Sequence, residues 1–345
     1  MKETKGGIIM HMADALVAPA VAGTMYVCSG AAAVFSMKKM QIEKETEKLP
    51  LMGVMGAFVF AAQMINFTIP GTGSSGHLCG GMMLSALLGP LAGFLTMIGI
   101  LVVQCLLFAD GGLLALGCNI WNMAFYGCFI GALCIWEPLM KHGISKKKIT
   151  FASIAGCVLT LQLGAFSVVM ETLLSGITEL PFAVFAGAMQ PIHLAIGLVE
   201  GLITAAVLSF VYEARPELLW TGEHSIQTEN KKSNFSYRRV LGIFMALTVF
   251  VGGGLSLFAS ANPDGLEWSI QKLTGSTEIA SGGKVHTLTG YIQKLTALFP
   301  DYGLKHSDSQ IGTSISGIIG GIIVMAVCIG GCLLVKKIKG NKMHE

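Results

Sequence analysis

Two histidines stand where an imidazole can do chemistry. His77 lies within Gly71-Thr72-Gly73-Ser74-Ser75-Gly76-His77-Leu78-Cys79-Gly80-Gly81, a charge-free run whose five glycines permit close backbone approach and unusual φ/ψ. His11, in Met10-His11-Met12, stands at the polar edge of an apolar segment. Imidazole nitrogen suits nickel, cobalt, copper and zinc. A free amine immediately before a histidine adds two donors, the amine itself and the histidine's own amide nitrogen. With His77 these make a square of four nitrogens, a geometry of Ni(II) or Cu(II) rather than of tetrahedral zinc. That set needs Met10 as the first residue. Lys5-Gly6-Gly7 would be encoded by a purine-rich stretch of ribosome-binding type just upstream of the Met10 codon, so residues 1–9 are expected to be a misassigned extension. With Met1 retained, the set reduces to two imidazoles. In the alternative reading, His77 hydrogen-bonds its own loop.

Further candidates follow from rarity. His193 and Glu200 are seven apart, hence on one helical face, and form either a metal or proton path or a polar pair closing a helix–helix network. Cys79, two residues past His77, can ligate a soft ion or pack at a helix start. Asn119 and Asn122, with Gln63, Asn66 and Gln104, are neutral hydrogen-bonders able to hold the loop. Asp110, Glu137 and Glu213 fall at span ends and are expected to be solvated. Gly53, Ala57 and Ala61 form a small-residue stripe, expected to receive a partner helix or to pack within the chain.

These residues are carried by a membrane protein. Apolar residues make up 53% of the chain, charged residues 12%, and mean hydropathy is +0.67. Net charge is only +3, and no nucleic-acid partner is expected. Most of the nine cysteines lie inside apolar runs and read as small hydrophobes. There is no CxxC, no HExxH and no Walker loop, so the chain supplies no ATPase of its own.

Apolar segments of roughly bilayer-spanning length cover 13–36, 51–69, a short 79–88, 90–108, 113–140, 149–175, 189–212, 240–261 and 311–335. Gly89-Pro90 divides what would otherwise be one long run. The nine crossings place 17 of the 23 Lys and Arg on one side, which the positive-inside rule makes cytoplasmic. The N-terminus, the His77 loop, Asp110-Gly111-Gly112 and 176–188 are then outside, and the C-terminus inside. Residues 10–213 read as one membrane domain and 214–239 as a cytoplasmic linker. Residues 240–345 read as an appended module: helix 240–261, an outer segment 262–310, helix 311–335 and a basic tail. Glycines at 252–254, 317, 320 and 321 mark where its helices can approach others closely.

Several separated motifs closely resemble one family. Met10-His11-x-x-Asp14, Ser75-Gly76-His77-Leu78-x-Gly80-Gly81, Leu88-Gly89-Pro90, Gln104-x-Leu106-Leu107-Phe108-x-Asp110-Gly111-Gly112, Gly117-x-Asn119 and His193-x-x-Ile196-Gly197-x-x-Glu200 are those of the CbiM/NikM family. These are substrate-binding components of energy-coupling-factor (ECF) transporters for cobalt and nickel, associated with cobalamin biosynthesis. Asn262-Pro263-Asp264-Gly265-Leu266-Glu267-Trp268 and Pro300-Asp301-Tyr302 are similar to the PDGLE module of the NikN type, here fused behind. The resemblance implies an all-α polytopic fold: a seven-helix ECF substrate-binding domain, then a two-helix module with an extracytoplasmic segment. It implies metal ligation by the amine of Met10, the amide and imidazole of His11, and His77. It also implies Ni2+ or Co2+ as transported substrate, no catalytic cofactor, and residence in a prokaryotic cell membrane among lipid. Implied partners are a transmembrane coupling (T) component and two ABC ATPase subunits. The Gly53/Ala57/Ala61 stripe is the expected coupling-protein contact. Where family members read Ile-Pro-Asp-Gly after the histidine, this chain has Met12-Ala13-Asp14-Ala15, so the N-terminal turn is expected to be less constrained and the affinity altered. The competing classes are a secondary divalent-metal transporter, which would need a coupling-ion site and repeated halves, and an intramembrane metalloenzyme, which would need a carboxylate or nucleophile–base constellation.

Overall fold

The computed structural model describes residues 11–40, 48–222, 234–277, 279, 282–304 and 311–341. After one 3₁₀ turn at Asp14–Leu16, helix α1 (Pro19–Lys39) begins with proline in its first turn, where the missing N–H is no loss. Helices α2 (Lys48–Gln63), α3 (Gly81–Leu88), α4 (Pro90–Phe108), α5 (Leu116–Met140), α6 (Lys146–Ser175) and α7 (Phe182–Ala214) complete a seven-helix domain. The appended module contributes α8 (Tyr237–Gly253), two short outer helices α9 (Gly265–Thr274) and α10 (Lys284–Thr296), a 3₁₀ turn at Pro300–Tyr302, and α11 (Ile311–Asn341).

Among the described residues, seven helices are long and apolar enough to cross a membrane: α1, α4, α5, α6, α7, α11 and α8 with its continuation to Phe258. The other two expected crossings are shorter. The α2 helix has 16 residues, almost all buried, so it reads as apolar all round because it is a core helix. The α3 helix has eight residues and is separated from α4 at Gly89, whose φ of +81° leaves the helical region just before Pro90.

The expected span 51–69 is corrected at its end. Helix α2 stops at Gln63, and strand β1 (Phe67–Ile69) pairs antiparallel with β2 (Ser74–Gly76), Phe67 opposite Gly76 and Ile69 opposite Ser74. The β-branched Thr68 and Ile69, followed by Pro70-Gly71 with Gly71 and Gly73 at φ +77°, form a hairpin rather than another helical turn. His77 emerges directly from β2.

The Gly53/Ala57/Ala61 stripe is also corrected. It faces the chain's own module, not a coupling protein. A Cβ on Gly53 would lie 2.7 Å from Ile329, Ala57 and Ala61 are fully buried, and Ala61 packs beside Gly252. The module helices themselves cross at Gly252 and Gly317, where a Cβ on Gly317 would stand 2.2 Å from the Gly252 carbonyl oxygen. Small residues here bring α2, α8 and α11 together.

Candidate metal centre

His11 is 4% exposed. Its backbone is set by Asn119, whose side-chain oxygen accepts from the Met12 N–H (3.0 Å) and whose amide donates to the Met12 carbonyl (3.1 Å). Asp14 accepts from the Ala115 N–H (3.0 Å) and from the Thr289 hydroxyl (2.8 Å). The turn after His11, expected to be loose without its proline and glycine, is therefore clamped through Asp14, one clamp coming from α10.

His77 sits at the junction between the hairpin and α3. Gly80 precedes α3 at φ +82°, where a Cβ would come 2.4 Å from Val59. The Glu200 carboxylate accepts from the Cys79 N–H and the Gly80 N–H, both at 2.9 Å. This buried carboxylate satisfies two orphan donors at a helix start and fixes the loop. Glu200 therefore positions the His77 segment. The Gln63 amide adds a bond to the Cys79 carbonyl (2.8 Å).

The two imidazoles meet edge to face, with ring centres 5.6 Å apart. They line one cavity of about 100 Å³ with Cys79, Asn119, His193 and Asp264. Cys79 gives its thiol to the Met123 carbonyl (3.3 Å), and His193 holds its Nδ1 on the Met189 carbonyl (2.8 Å), so the His193 proton is on Nδ1. Met10 lies outside the described residues. Among the described residues, no three His, Cys, Asp or Glu side chains already converge as a metal cage.

Asp110 is corrected from a solvated span end to a buried member of the site, 2% exposed. The last turn of α4 widens into π register over Gln104–Phe108 and ends on Ala109 at φ +56°. That turn brings Asp110 Oδ1 to 2.8 Å from His11 Nδ1. His11 Nε2 is buried without a hydrogen-bond partner among the described residues. Burial works against the His11 imidazolium, but the Asp110 carboxylate outweighs it and holds His11 above the ordinary histidine range. Burial likewise works against the Asp110 carboxylate, and His11 together with the Tyr302 hydroxyl holds it below the ordinary range. Tyr302, from the module, donates to Asp110 Oδ2 and accepts from the Gln104 amide (3.2 Å).

The outer segment lies across the site. Ser75 donates its N–H to the Pro263 carbonyl (2.8 Å) and its hydroxyl to the Asn262 carbonyl (2.8 Å), and Trp268 donates to the Thr72 carbonyl (3.0 Å). Asp264 caps α9, accepting from the Glu267 N–H (2.8 Å), and its Oδ2 is 3.9 Å from His77 Nε2. Burial pushes the Asp264 carboxyl upward. Asp110, Tyr302 and Asp264 were not singled out from sequence as site residues. Their available signals were the Asp-Gly-Gly after α4 and the Asp-x-x-Glu capping spacing before α9.

Comparison with known proteins follows the same division of the chain. Residues 11–218 match the CbiM family profile, described as a cobalt uptake substrate-specific transmembrane region, and residues 238–337 match the PDGLE domain. A protein of Archaeoglobus fulgidus, provisionally named a fused nickel transport protein NikMN, is 33% identical over 318 residues, 92% of this chain and 96% of the relative. One of Lactiplantibacillus plantarum, provisionally named a fused nickel transport protein LarMN, is 30% identical over 93% of this chain and 97% of the relative. A crystal structure described as a truncated transition metal transporter aligns with a TM-score of 0.51 at 28% identity, covering 59% of this chain and 99% of that one.

Proposed function

This chain belongs to the CbiM family, with a PDGLE domain behind it in one polypeptide, and from that premise we propose that it captures Ni2+ or Co2+ at the outer membrane face for ATP-driven uptake by an ECF-type transporter. It is a multi-pass membrane protein and a transport component rather than an enzyme. In the proposed assembly a transmembrane coupling protein and two ABC ATPase subunits supply the energy, with the N-terminus outside and the C-terminus cytoplasmic. The observation that carries this reading is the meeting of His11 and His77 at one buried cavity, ring centres 5.6 Å apart. Each ring centre would lie roughly 3 Å from a shared ion, given metal–nitrogen lengths of about 2.0–2.1 Å. Two such ligands bridge the observed separation at an open angle.

The proposed ligands are the His11 and His77 imidazoles, joined by the His11 amide and the Met10 amine where Met10 is the first residue. An amine–amide–imidazole chelate closes through Nδ1, so an ion bound that way takes Nδ1 from Asp110. Nickel is the first ion to test, because both fused relatives carry it in their names and a planar nitrogen set favours it. Isothermal titration with nickel and cobalt on two purified forms, one beginning at Met10 and one retaining residues 1–9, tests the site. Tight binding by the Met10 form alone supports the amine. Equal binding by both removes the amine from the ligand set, and no binding by either refutes metal capture at these histidines.

A further inference from the structure

We infer that α10 lies in the membrane surface, its apolar face seated where lipid headgroups meet acyl chains, on the side of the bilayer that carries His11 and His77. The inference goes beyond the metal-capture reading and needs only that the chain spans a membrane.

The two short helices of the module are built in opposite senses. In α9, Leu266 and Ile270 are buried while Gln271 and Lys272 are exposed, the pattern of a helix that packs on protein and meets water. In α10 the polar face points inward. His286 Nε2 lies 3.1 Å from both the Asp14 and the Val17 carbonyl oxygens, and because a carbonyl only accepts, Nε2 carries the hydrogen. Thr289 donates to Asp14 Oδ2 at 2.8 Å, and Gln293 donates to the Gly111 carbonyl at 2.6 Å. Positions 286, 289 and 293 share one helical face. The opposite face carries Val285, Leu288, Tyr291, Ile292 and Leu295, and Leu298 extends it past the helix end. Leu288, Tyr291 and Leu295 are 59%, 61% and 63% exposed. A continuous apolar face turned away from the chain marks contact with a membrane or with another protein.

Three observations select lipid. Gln293 also donates to the Cys105 carbonyl at 3.0 Å, and the Phe299 N–H donates to the Leu107 carbonyl at 3.0 Å. Both carbonyls belong to α4, which is long and apolar enough to cross the membrane. The α10 helix therefore runs beside the end of a span, at the level where an interfacial helix buries its apolar face about 5–10 Å into the headgroup boundary. Next, His286 binds the turn that leads into α1, and α1 leaves Val27, Val34 and Phe35 exposed, so α10 adjoins a span whose own surface is open to lipid. Finally, residues 284–299 contain two lysines and no acidic residue. Lys284 and Lys294 are exposed, with stems long enough to keep their ammonium groups among headgroups, and tyrosine is enriched at that level. A basic amphipathic helix of this kind binds a lipid surface through apolar burial and attraction to anionic headgroups. Because the same helix holds Asp14 and the Gly111 carbonyl, the lipid seat is tied to the turn that follows His11.

The full chain is placed in liposomes of phosphatidylcholine and phosphatidylglycerol that include a phosphatidylcholine with a photoactivatable diazirine near the head of one acyl chain. After illumination, peptide mass spectrometry locates the lipid adducts. A lipid seat predicts adducts on Leu288, Ile292 and Leu295, as on Val27 of α1, and none on α9. Replacing both Leu288 and Leu295 by Asn should abolish the α10 adducts, keep those on α1 and speed amide exchange over 284–296. If that variant fails to fold, the wild-type adduct map decides alone. Adducts on α1 with none on 284–299 would overturn the inference, and a dimer in native mass spectrometry would then assign the face to a second copy of the chain. Equal labelling of α9 and α10 would also overturn it, as would α10 adducts that persist unchanged in the double variant, since the apolar face would then not be what seats the helix.

Discussion

Replacing Glu200 by Gln tests whether this buried carboxylate, on sequence grounds a possible ligand, acts through the loop it holds. Its oxygens accept two backbone N–H bonds at 2.9 Å, from Cys79 and Gly80, at 1% exposure. Hydrogen bonds to a charged group contribute about 1.5–3 kcal/mol each. Glutamine keeps one acceptor and turns its NH2 toward the second N–H, so one bond is lost and a donor faces a donor. The local loss is about 2–3 kcal/mol, and it falls two residues from His77. Outer-shell disturbance of this kind typically costs about 10–100-fold in metal affinity, or about 1.4–2.8 kcal/mol. Calorimetry on Glu200→Gln should therefore show nickel or cobalt binding weakened by that factor, with stoichiometry unchanged. The Co(II) absorption spectrum should keep its wild-type shape, because no ligand has been removed. A Kd within twofold of wild type would refute the idea that this anchor positions His77. A changed spectrum would refute it differently, by making Glu200 a ligand.

Two further predictions concern the His11–Asp110 pair and the crossing of the module helices. Folding holds His11 above its ordinary 6.5 and Asp110 below its ordinary 3.8. The histidine's contribution is complete below about 6.5 and is lost as pH rises through its raised folded value; the carboxylate's is complete above about 3.8 and is lost as pH falls through its lowered one. In metal-free protein the Tm difference between wild type and Asp110→Asn should be widest between about pH 3.8 and 6.5, and a pH-independent difference would reject the pair. Gly317→Val places a side chain where a Cβ already lies 2.2 Å from the Gly252 carbonyl oxygen, with backbone on both sides. Overpacking of about 1–3 kcal/mol should separate α8 from α11 and speed amide exchange across residues 265–296; unchanged exchange would show that the crossing does not hold the outer segment.

The two histidines were legible because imidazoles at the ends of apolar segments are rare and their chemistry is narrow. So was the break at Gly89-Pro90, a matter of local backbone sterics. The residues that complete the site were not. Asp110 reads as a solvated turn until a widened π turn and Tyr302, 192 positions later, are seen to enclose it. Asp264 reads as a helix cap, which it is, and only the tertiary fold puts its other oxygen opposite His77. The Gly53/Ala57/Ala61 stripe announces close approach correctly, but spacing carries no information about which helix approaches. The module's α11 competes for that face within the same chain and takes it. The hairpin at 67–76 was missed because an apolar run continuing through Ile69 resembles a helix end until the Pro-Gly turn is given its own weight.

The polar contacts at the site form a circuit through both domains. The Cys79 carbonyl, two residues past His77, accepts from Gln63; Gln63 accepts from Gln104; Gln104 donates to Tyr302; Tyr302 donates to Asp110, which holds His11. Every side chain in that series is buried, so each bond would leave an uncompensated group if its neighbour were removed. The segments bearing the two imidazoles are thus tied to one another through a phenol that belongs to the PDGLE domain. A chain ending before α8 would retain both histidines and lose Tyr302, leaving Asp110 with His11 but without the hydroxyl that fixes its second oxygen. The geometry of the centre is consequently a property of the fused polypeptide, and the domain boundary in sequence is not a boundary at the site.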